Sequence, residues 1–214
     1  MLQRISESWL MPSQTRKVFF GNYVFSVWKD VYEPAEDSFL FAENLAVRDG
    51  SSVLDLGTGC GILGIVATQR ASSVVAIDIN PRAVRCAKEN AKLNLVADKM
   101  LFVQGDMFVP LRADKKFDLI LFNAPYLPAE HREADSWLER AWAGGATGRQ
   151  VIDVFIHESS AYLNRRGRVL LLQSSLSGLD ETLNGFGEKG FNAKVAAEQS
   201  LPFFESIALI EARL

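Results

Sequence analysis

Apolar and polar positions change rhythm several times along this chain of 214 residues, and each change marks an element. Phe, Val and Tyr crowd positions 17–28 around Gly21-Asn22, which predicts two short strands joined as a hairpin. Pro34 then opens a helix with Glu36 and Asp37 in its first turn and Phe39, Leu40, Phe41 and Leu45 as apolar positions, and Gly50 is its expected stop. From there strand and helix patterns alternate. Apolar runs at 52–56, 73–77, 100–103, 117–122 and 168–173 read as strands, and helical spacing appears at 62–70, after Pro81, at 148–163 and at 179–188. Asn80 is the expected cap of the helix that Pro81 begins. Two further strands, 191–197 and 206–212, close the chain with no helix between them.

Strands that alternate with helices imply a mostly parallel sheet covered on both faces. The closing pair implies one antiparallel strand. The expectation is an α/β, Rossmann-like, seven-stranded sheet over residues 31–214, preceded by an extension, 1–30, that carries the hairpin. One connection, 123–147, is about twice the usual upper length for a structureless loop. A helical turn at 134–140 is expected within it, and Trp137 and Trp142 argue against disorder.

Composition narrows the function. Hydrophobic residues make up 48% of the chain, enough for a packed core. The 23 basic and 26 acidic residues leave a formal net charge of −3, which argues against stable binding of nucleic acid through a broad basic face. Two cysteines, Cys60 and Cys86, and two histidines, His131 and His157, match no zinc spacing, so the chain is expected to hold no metal of its own. The first eight residues are too polar for a signal sequence, and no apolar run approaches the ~20 residues of a membrane span. A soluble, cytoplasmic protein is expected.

The chemistry gathers at strand ends. Asp55-Leu56-Gly57-Thr58-Gly59-Cys60-Gly61 joins a strand to a helix, and such glycines let the backbone approach a ligand beside free helix N–H groups. Its spacing is G-x-G-x-G, unlike the dinucleotide fingerprint, and no phosphate-binding P-loop motif is present. Asp78 ends the next strand, where a carboxylate can accept both ribose hydroxyls of a nucleoside. Asp106, in Gly105-Asp106-Met107, could accept from an adenine amino group. Each of these also reads as a turn or a cap. Asn123-Ala124-Pro125-Tyr126 follows the apolar run 117–122. Its amide oxygen and a neighbouring backbone carbonyl suit the two N–H donors of a planar amino group, and Tyr126 can stack on its face. As a bare tetrapeptide it could equally be a turn. Four strand ends carrying Asp55, Asp78, Asp106 and Asn123 in order point to one crevice.

These motifs together resemble an S-adenosylmethionine-dependent methyltransferase of the amino-group type. Val31-Tyr32-Glu33-Pro34-Ala35-Glu36-Asp37-Ser38-Phe39 and Ala141-Trp142-Ala143-Gly144-Gly145-x-x-Gly148-Arg149 resemble, more narrowly, the HemK-related enzymes of eukaryotes and archaea. Those enzymes methylate the glutamine amide in the Gly-Gly-Gln motif of class 1 translation release factors. The resemblance implies the class I methyltransferase fold. It also implies S-adenosylmethionine held by Asp55, Gly57, Gly59 and Ser38 near its methionine end, by Asp78 at the ribose and by Asp106 and Met107 at the adenine. Asn123, also beside the cofactor, and Tyr126 would hold the target amide, with the Ala124 carbonyl as second acceptor and Pro125 setting the bend. The family usually has Pro where this chain has Ala124, which keeps the carbonyl and loses rigidity.

Two more expectations follow from the resemblance. The strand Met100-Leu101-Phe102-Val103 would lie at a sheet edge, apolar and uncharged, and a small zinc-binding, Trm112-like activator would add a strand there. The Asn-x-Pro-Tyr grip also suits adenine N6 or guanine N2, so a nucleic-acid base methyltransferase is the competing activity. A non-catalytic cofactor-binding scaffold is the alternative outside enzymes.

Overall fold

The structure is a computed structural model that describes residues 15–129, 136–202 and 205–214. The polar N-terminal stretch, His131 and the first part of the turn expected at 134–140 lie outside the described residues. A two-stranded antiparallel hairpin, β1 (Thr15–Phe20) and β2 (Tyr23–Trp28), comes first. A seven-stranded sheet follows, built from β3 (Ser52–Leu56), β4 (Ser73–Asp78), β5 (Met100–Gln104), β6 (Phe117–Asn123), β7 (Leu163–Ser174), β8 (Asn192–Ser200) and β9 (Ser206–Arg213). Its order is β5-β4-β3-β6-β7-β9-β8. All neighbours are parallel except those of β9, which runs antiparallel to both β7 and β8. The alternation of patterns thus gives the expected sheet. Among the described residues no helix is long and apolar enough to cross a membrane.

Among the described residues six helices complete the layers: α1 (Glu36–Glu43), α2 (Ile62–Ala67), α3 (Pro81–Leu93), α4 (Trp137–Arg140), α5 (Gln150–Glu158) and α6 (Leu179–Glu188). The central strands are buried on both faces, so two cores form. Phe25, Phe41, Ile65 and Leu121 belong to one, and Leu54, Phe122, Phe155 and Phe186 to the other. Alternate residues of a strand point to opposite faces, which is why Leu121 and Phe122 of β6 serve different cores.

Several helices are shorter than their patterns suggest. The first stops at Glu43 and not near Gly50, because the Asn44 amide donates to the Leu40 carbonyl at 2.8 Å and closes the last turn. In α2 the Thr68 hydroxyl donates to the Ile65 carbonyl at 2.6 Å, and the helix ends three residues before Arg70. Gly148 has φ of 73°, outside the helical range, so α5 begins at Gln150 and passes after Glu158 into a 3-10 turn. Strand β7 begins five residues ahead of Arg168, with an irregularity in its pairing to β6 between Phe117 and Leu119. Asn80 caps α3 through the Arg82 N–H at 2.9 Å, as its position before Pro81 predicts.

The hairpin is stitched to the main sheet by two asparagines one helical turn apart at the end of α3. Asn94 accepts from the Val24 N–H at 3.0 Å and donates to the Val24 carbonyl at 2.8 Å. Asn90, 1% exposed, accepts from the Ser26 N–H at 2.8 Å and donates to the Ser26 carbonyl at 3.1 Å and the Cys60 carbonyl at 2.8 Å. The two amides act as a substitute strand along the free edge of β2. The chain that leaves β2 passes over the carboxyl ends of the central strands, and Val31 sits in the same core as Phe25. Replacing Asn90 with Ala strands the Ser26 N–H and the Cys60 carbonyl, while the Ser26 carbonyl keeps the Cys86 thiol. Asn90→Ala is therefore expected to lose about 2–4 kcal/mol of stability, more than Asn94→Ala, as read from urea unfolding midpoints.

Candidate active site

A cleft of about 680 Å³ opens at the carboxyl ends of the central parallel strands. One wall is the turn after β3, where Gly57, Gly59 and Gly61 all have positive φ (62°, 56° and 92°). A side chain on Gly61 would press on Ala87 of α3, its Cβ 3.1 Å from that residue's Cβ, so the glycine is what lets the turn lie flat on that helix. Asp78, at the end of β4, holds the turn from the other side. One of its oxygens accepts from the Gly59 N–H and the other from the Asn80 N–H, both at 2.9 Å. Burial pushes its carboxyl above the usual range, against the pull of those two bonds.

Asp55 lies beneath the turn and not on the cleft wall; it is 1% exposed. Its Oδ2 accepts from the Thr58 hydroxyl at 2.6 Å and the Gly64 N–H at 3.0 Å, which ties the turn to α2. Its Oδ1 is buried without a partner among the described residues. Burial pushes this carboxyl up to about 7, the two hydrogen bonds oppose that, and the charge of Asp78 adds to it.

Beside the turn, the end of β6, the strand paired with β3, presents Asn123. Its amide nitrogen donates to Asp37 Oδ2 at 3.1 Å and reaches Ser38 Oγ at 3.5 Å, both on α1. An ionised carboxylate only accepts, so the NH2 must face Asp37 and the oxygen must face away. That oxygen is buried and has no partner among the described residues. The same Asp37 oxygen accepts from the hydroxyls of Tyr32 at 3.2 Å and Tyr126 at 3.3 Å. Burial first, and the charge of Asp37 next, push both phenols well above the ordinary tyrosine value, so both remain O–H donors.

The segment after Tyr126 is braced by the second motif. Leu127 and Ala143 form an isolated parallel bridge, with the Leu127 N–H on the Trp142 carbonyl at 2.9 Å and the Gly144 N–H on the Leu127 carbonyl at 2.8 Å. Behind it, the Ser177 hydroxyl donates to the Tyr126 carbonyl at 2.6 Å. A Cβ on Gly148 would collide with that carbonyl, and one on Gly144 would come 2.6 Å from the Pro125 carbonyl. The Arg149 guanidinium reaches the carbonyls of Ser177 at 2.6 Å and Gly178 at 2.8 Å. The described parts of the long connection are thus tied to each other and to the segment after β7, and α4 occupies its later half.

The cleft lining includes Ser38, Gly57, Gly59, Asp78, Asp106 and Met107 together with Asn123, Ala124, Pro125 and Tyr126. Asp55 is set apart from them under the turn. Sequence patterns alone did not single out Asp37, Tyr32 or Trp142 as parts of the site, although all three line the cleft. Asp37 read as a first-turn helix charge, and nothing in its spacing reveals a partner 86 residues away.

The Asp55 carboxyl has a pH signature. The folded chain binds its proton more tightly than the unfolded chain, so its contribution to stability is fully present below about pH 4. It declines as pH rises toward 7, by roughly 4 kcal/mol over that window. In Asp55→Asn this component is absent. The stability of the wild type relative to Asp55→Asn is therefore expected to fall between pH 5 and pH 7.5, measured by urea titration of both proteins at each pH.

The family model described as "Methyltransferase small domain" matches residues 24–198. A protein of Methanocaldococcus jannaschii that carries the provisional name protein N5-glutamine methyltransferase is 44% identical over 187 residues, covering 86% of this chain and 93% of its own. The human methyltransferase HEMK2 is 32% identical over 187 residues, covering 83% of this chain and 87% of its own. Among solved structures, the E. cuniculi Mtq2-Trm112 complex, described as methylating the eRF1 translation termination factor, superposes with a TM-score of 0.66. It is 24% identical and covers 86% of this chain and 98% of that one, a likeness of fold. The chain belongs to the methyltransferase small-domain family, in its HemK-related branch.

Proposed function

We propose that this protein transfers a methyl group from S-adenosylmethionine to the side-chain amide nitrogen of the glutamine in the Gly-Gly-Gln motif of a class 1 release factor. The observation that carries the proposal is the Asn123 oxygen: buried, without a partner among the described residues, and fixed in direction because Asp37 holds the other end of the amide. A buried acceptor left open costs about 1–3 kcal/mol. A substrate N–H would recover that cost.

The residues present fit the cofactor. The Asp78 carboxylate faces the cleft beside the glycine turn, where a Cβ on Gly57 would lie 3.5 Å from the Phe122 ring and narrow the space open to a ligand. Asp78 would take the ribose hydroxyls, Asp106 and Met107 the adenine, and Gly57, Gly59 and Ser38 the methionine end. Asp55 would act through the turn that it anchors. When bound, S-adenosylmethionine supplies an electrophilic methyl on a positively charged sulfur. The chain's own contribution is position and charge. Asn123 Oδ1 and the Ala124 carbonyl accept the two N–H bonds of the target amide and hold its nitrogen in line. As that nitrogen takes on positive charge, the two acceptors stabilise it. The Tyr126 ring stacks on the flat amide, and Pro125 keeps the bend. The nitrogen's surplus proton leaves to water, so no strong base is required.

The sheet edge supports a partner. Strand β5 is terminal, Leu101 on it is 60% exposed, and Val109 just beyond is 80% exposed. A Trm112-like activator, of the kind named in the Mtq2-Trm112 complex, would pair with this edge and cover those side chains. The unit at 31–214 would carry the chemistry, with the N-terminal hairpin packed on its helix α3.

Asn123→Ala is expected to lower kcat on the order of 100-fold while cofactor affinity stays nearly intact. Labelled cofactor, release factor and peptide mass spectrometry would measure it. Methylation of RNA but not of release factor by the wild type would move the assignment to base amino groups. Leu101→Asp is expected to leave the melting temperature nearly unchanged and to weaken association with a Trm112-like protein about tenfold or more, measured by calorimetry. Unchanged affinity would remove the activator from this edge.

A further inference from the structure

We infer that Asp37 is a positioning residue for methyl transfer: its buried carboxylate orients and polarises the Asn123 amide and locks the Tyr126 wall to it. The inference rests on reading Asn123 as the grip on the target amide, and it assigns the charge that makes that grip work.

Asp37 is 6% exposed, and among the described residues no Lys or Arg pairs with it. A buried carboxylate with no cation is costly unless hydrogen bonds satisfy it. Here the donors are all neutral. Oδ1 accepts from the Ser38 N–H and hydroxyl. Oδ2 accepts from Tyr32, Asn123 and Tyr126 at 3.1–3.3 Å. The last two lie 86 and 89 residues away, on the strand end and loop that line the cleft. Charge satisfaction alone would not require its donors to be cleft-lining groups, yet all three on Oδ2 are.

Two consequences follow. Rotating the Asn123 amide by half a turn would set its oxygen against Asp37, so the carboxylate excludes the orientation that could not accept from a substrate. A negative charge on the NH2 side also draws that group's protons and raises electron density on the amide oxygen. The oxygen then responds more strongly to positive charge that develops on the target nitrogen. Asp37 touches no reacting atom in this arrangement and acts through Asn123.

The test uses the full chain labelled with ¹⁵N, with the Asn123 side-chain signals identified by their loss in Asn123→Ala. In the wild type the two Asn123 amide protons are expected to be well separated and to exchange slowly. In Asp37→Asn they should converge and exchange about tenfold faster or more. The same variant should lose about 100-fold in kcat, with affinity for S-adenosylhomocysteine within about threefold by calorimetry. Asp37→Glu, which keeps the charge, should recover part of the kcat that Asp37→Asn loses. Asn123 protons that exchange in the wild type as fast as those of an exposed asparagine overturn the inference without any variant. So does Asp37→Asn turning over as fast as the wild type. A wild type that leaves release factor unmethylated, while its Asn123 signals depend on Asp37 as described, overturns the substrate assignment and supports the positioning role.

Discussion

A single side-chain amide, tied at one end and open at the other, organises the working half of this molecule. Asn123 lies at the end of a strand buried on both faces, so its backbone is fixed by the sheet. Its NH2 is fixed by a carboxylate from a helix that precedes the sheet in the chain. What remains is one oxygen with a set direction and, among the described residues, no partner. Flexible groups must be ordered when a substrate binds, at about 0.5–1.5 kcal/mol per side chain. Here that ordering is already done during folding.

Open polar atoms of this kind weaken the fold, and the surroundings show where the compensation lies. Asn123 Oδ1 and Asp55 Oδ1 are both buried and, among the described residues, unpaired. They sit at the rim of a sheet whose two cores enclose Leu54, Leu121, Phe122 and Phe155. Burial of each such side chain stabilises by about 1.5–3 kcal/mol, enough for a few unmet hydrogen bonds to persist. The turn after β3 divides its labour in the same way. Asp78 holds it by Gly59 and Asp55 holds it by Thr58 and Gly64, so one carboxylate is left facing the cleft and the other supports it from below.

The same logic separates two strand edges of the structure, those of β2 and β5. The free edge of β2 is covered within the chain, by Asn90 and Asn94 acting as a short strand. The edge at β5 has Leu101 exposed and is covered by no described strand. A protein that commits two asparagines to one edge and leaves an apolar residue on the other has different uses for them. The covered edge packs on α3 within the chain, and the open one suits a protein that adds a strand.

Local pattern by itself determined the sheet. Short apolar runs between helical stretches can be buried only as parallel strands, and the helix-free closing pair can join them only with one strand reversed. The glycine turn, Asp78 and the Asn-Ala-Pro-Tyr corner were legible for the same reason, since each is a contiguous word at a strand end. Tertiary structure decided what no contiguous word contains. Asp55 was expected at the cofactor and lies under the turn, because two nearby donors, Thr58 and Gly64, draw its carboxylate inward. Asp37 read as an ordinary helix-start charge and became the partner of Asn123 and Tyr126, because the fold brings α1 against the end of β6. Hydrogen bonds between residues almost ninety positions apart leave no periodicity in a sequence; only the packed sheet brings those atoms within reach.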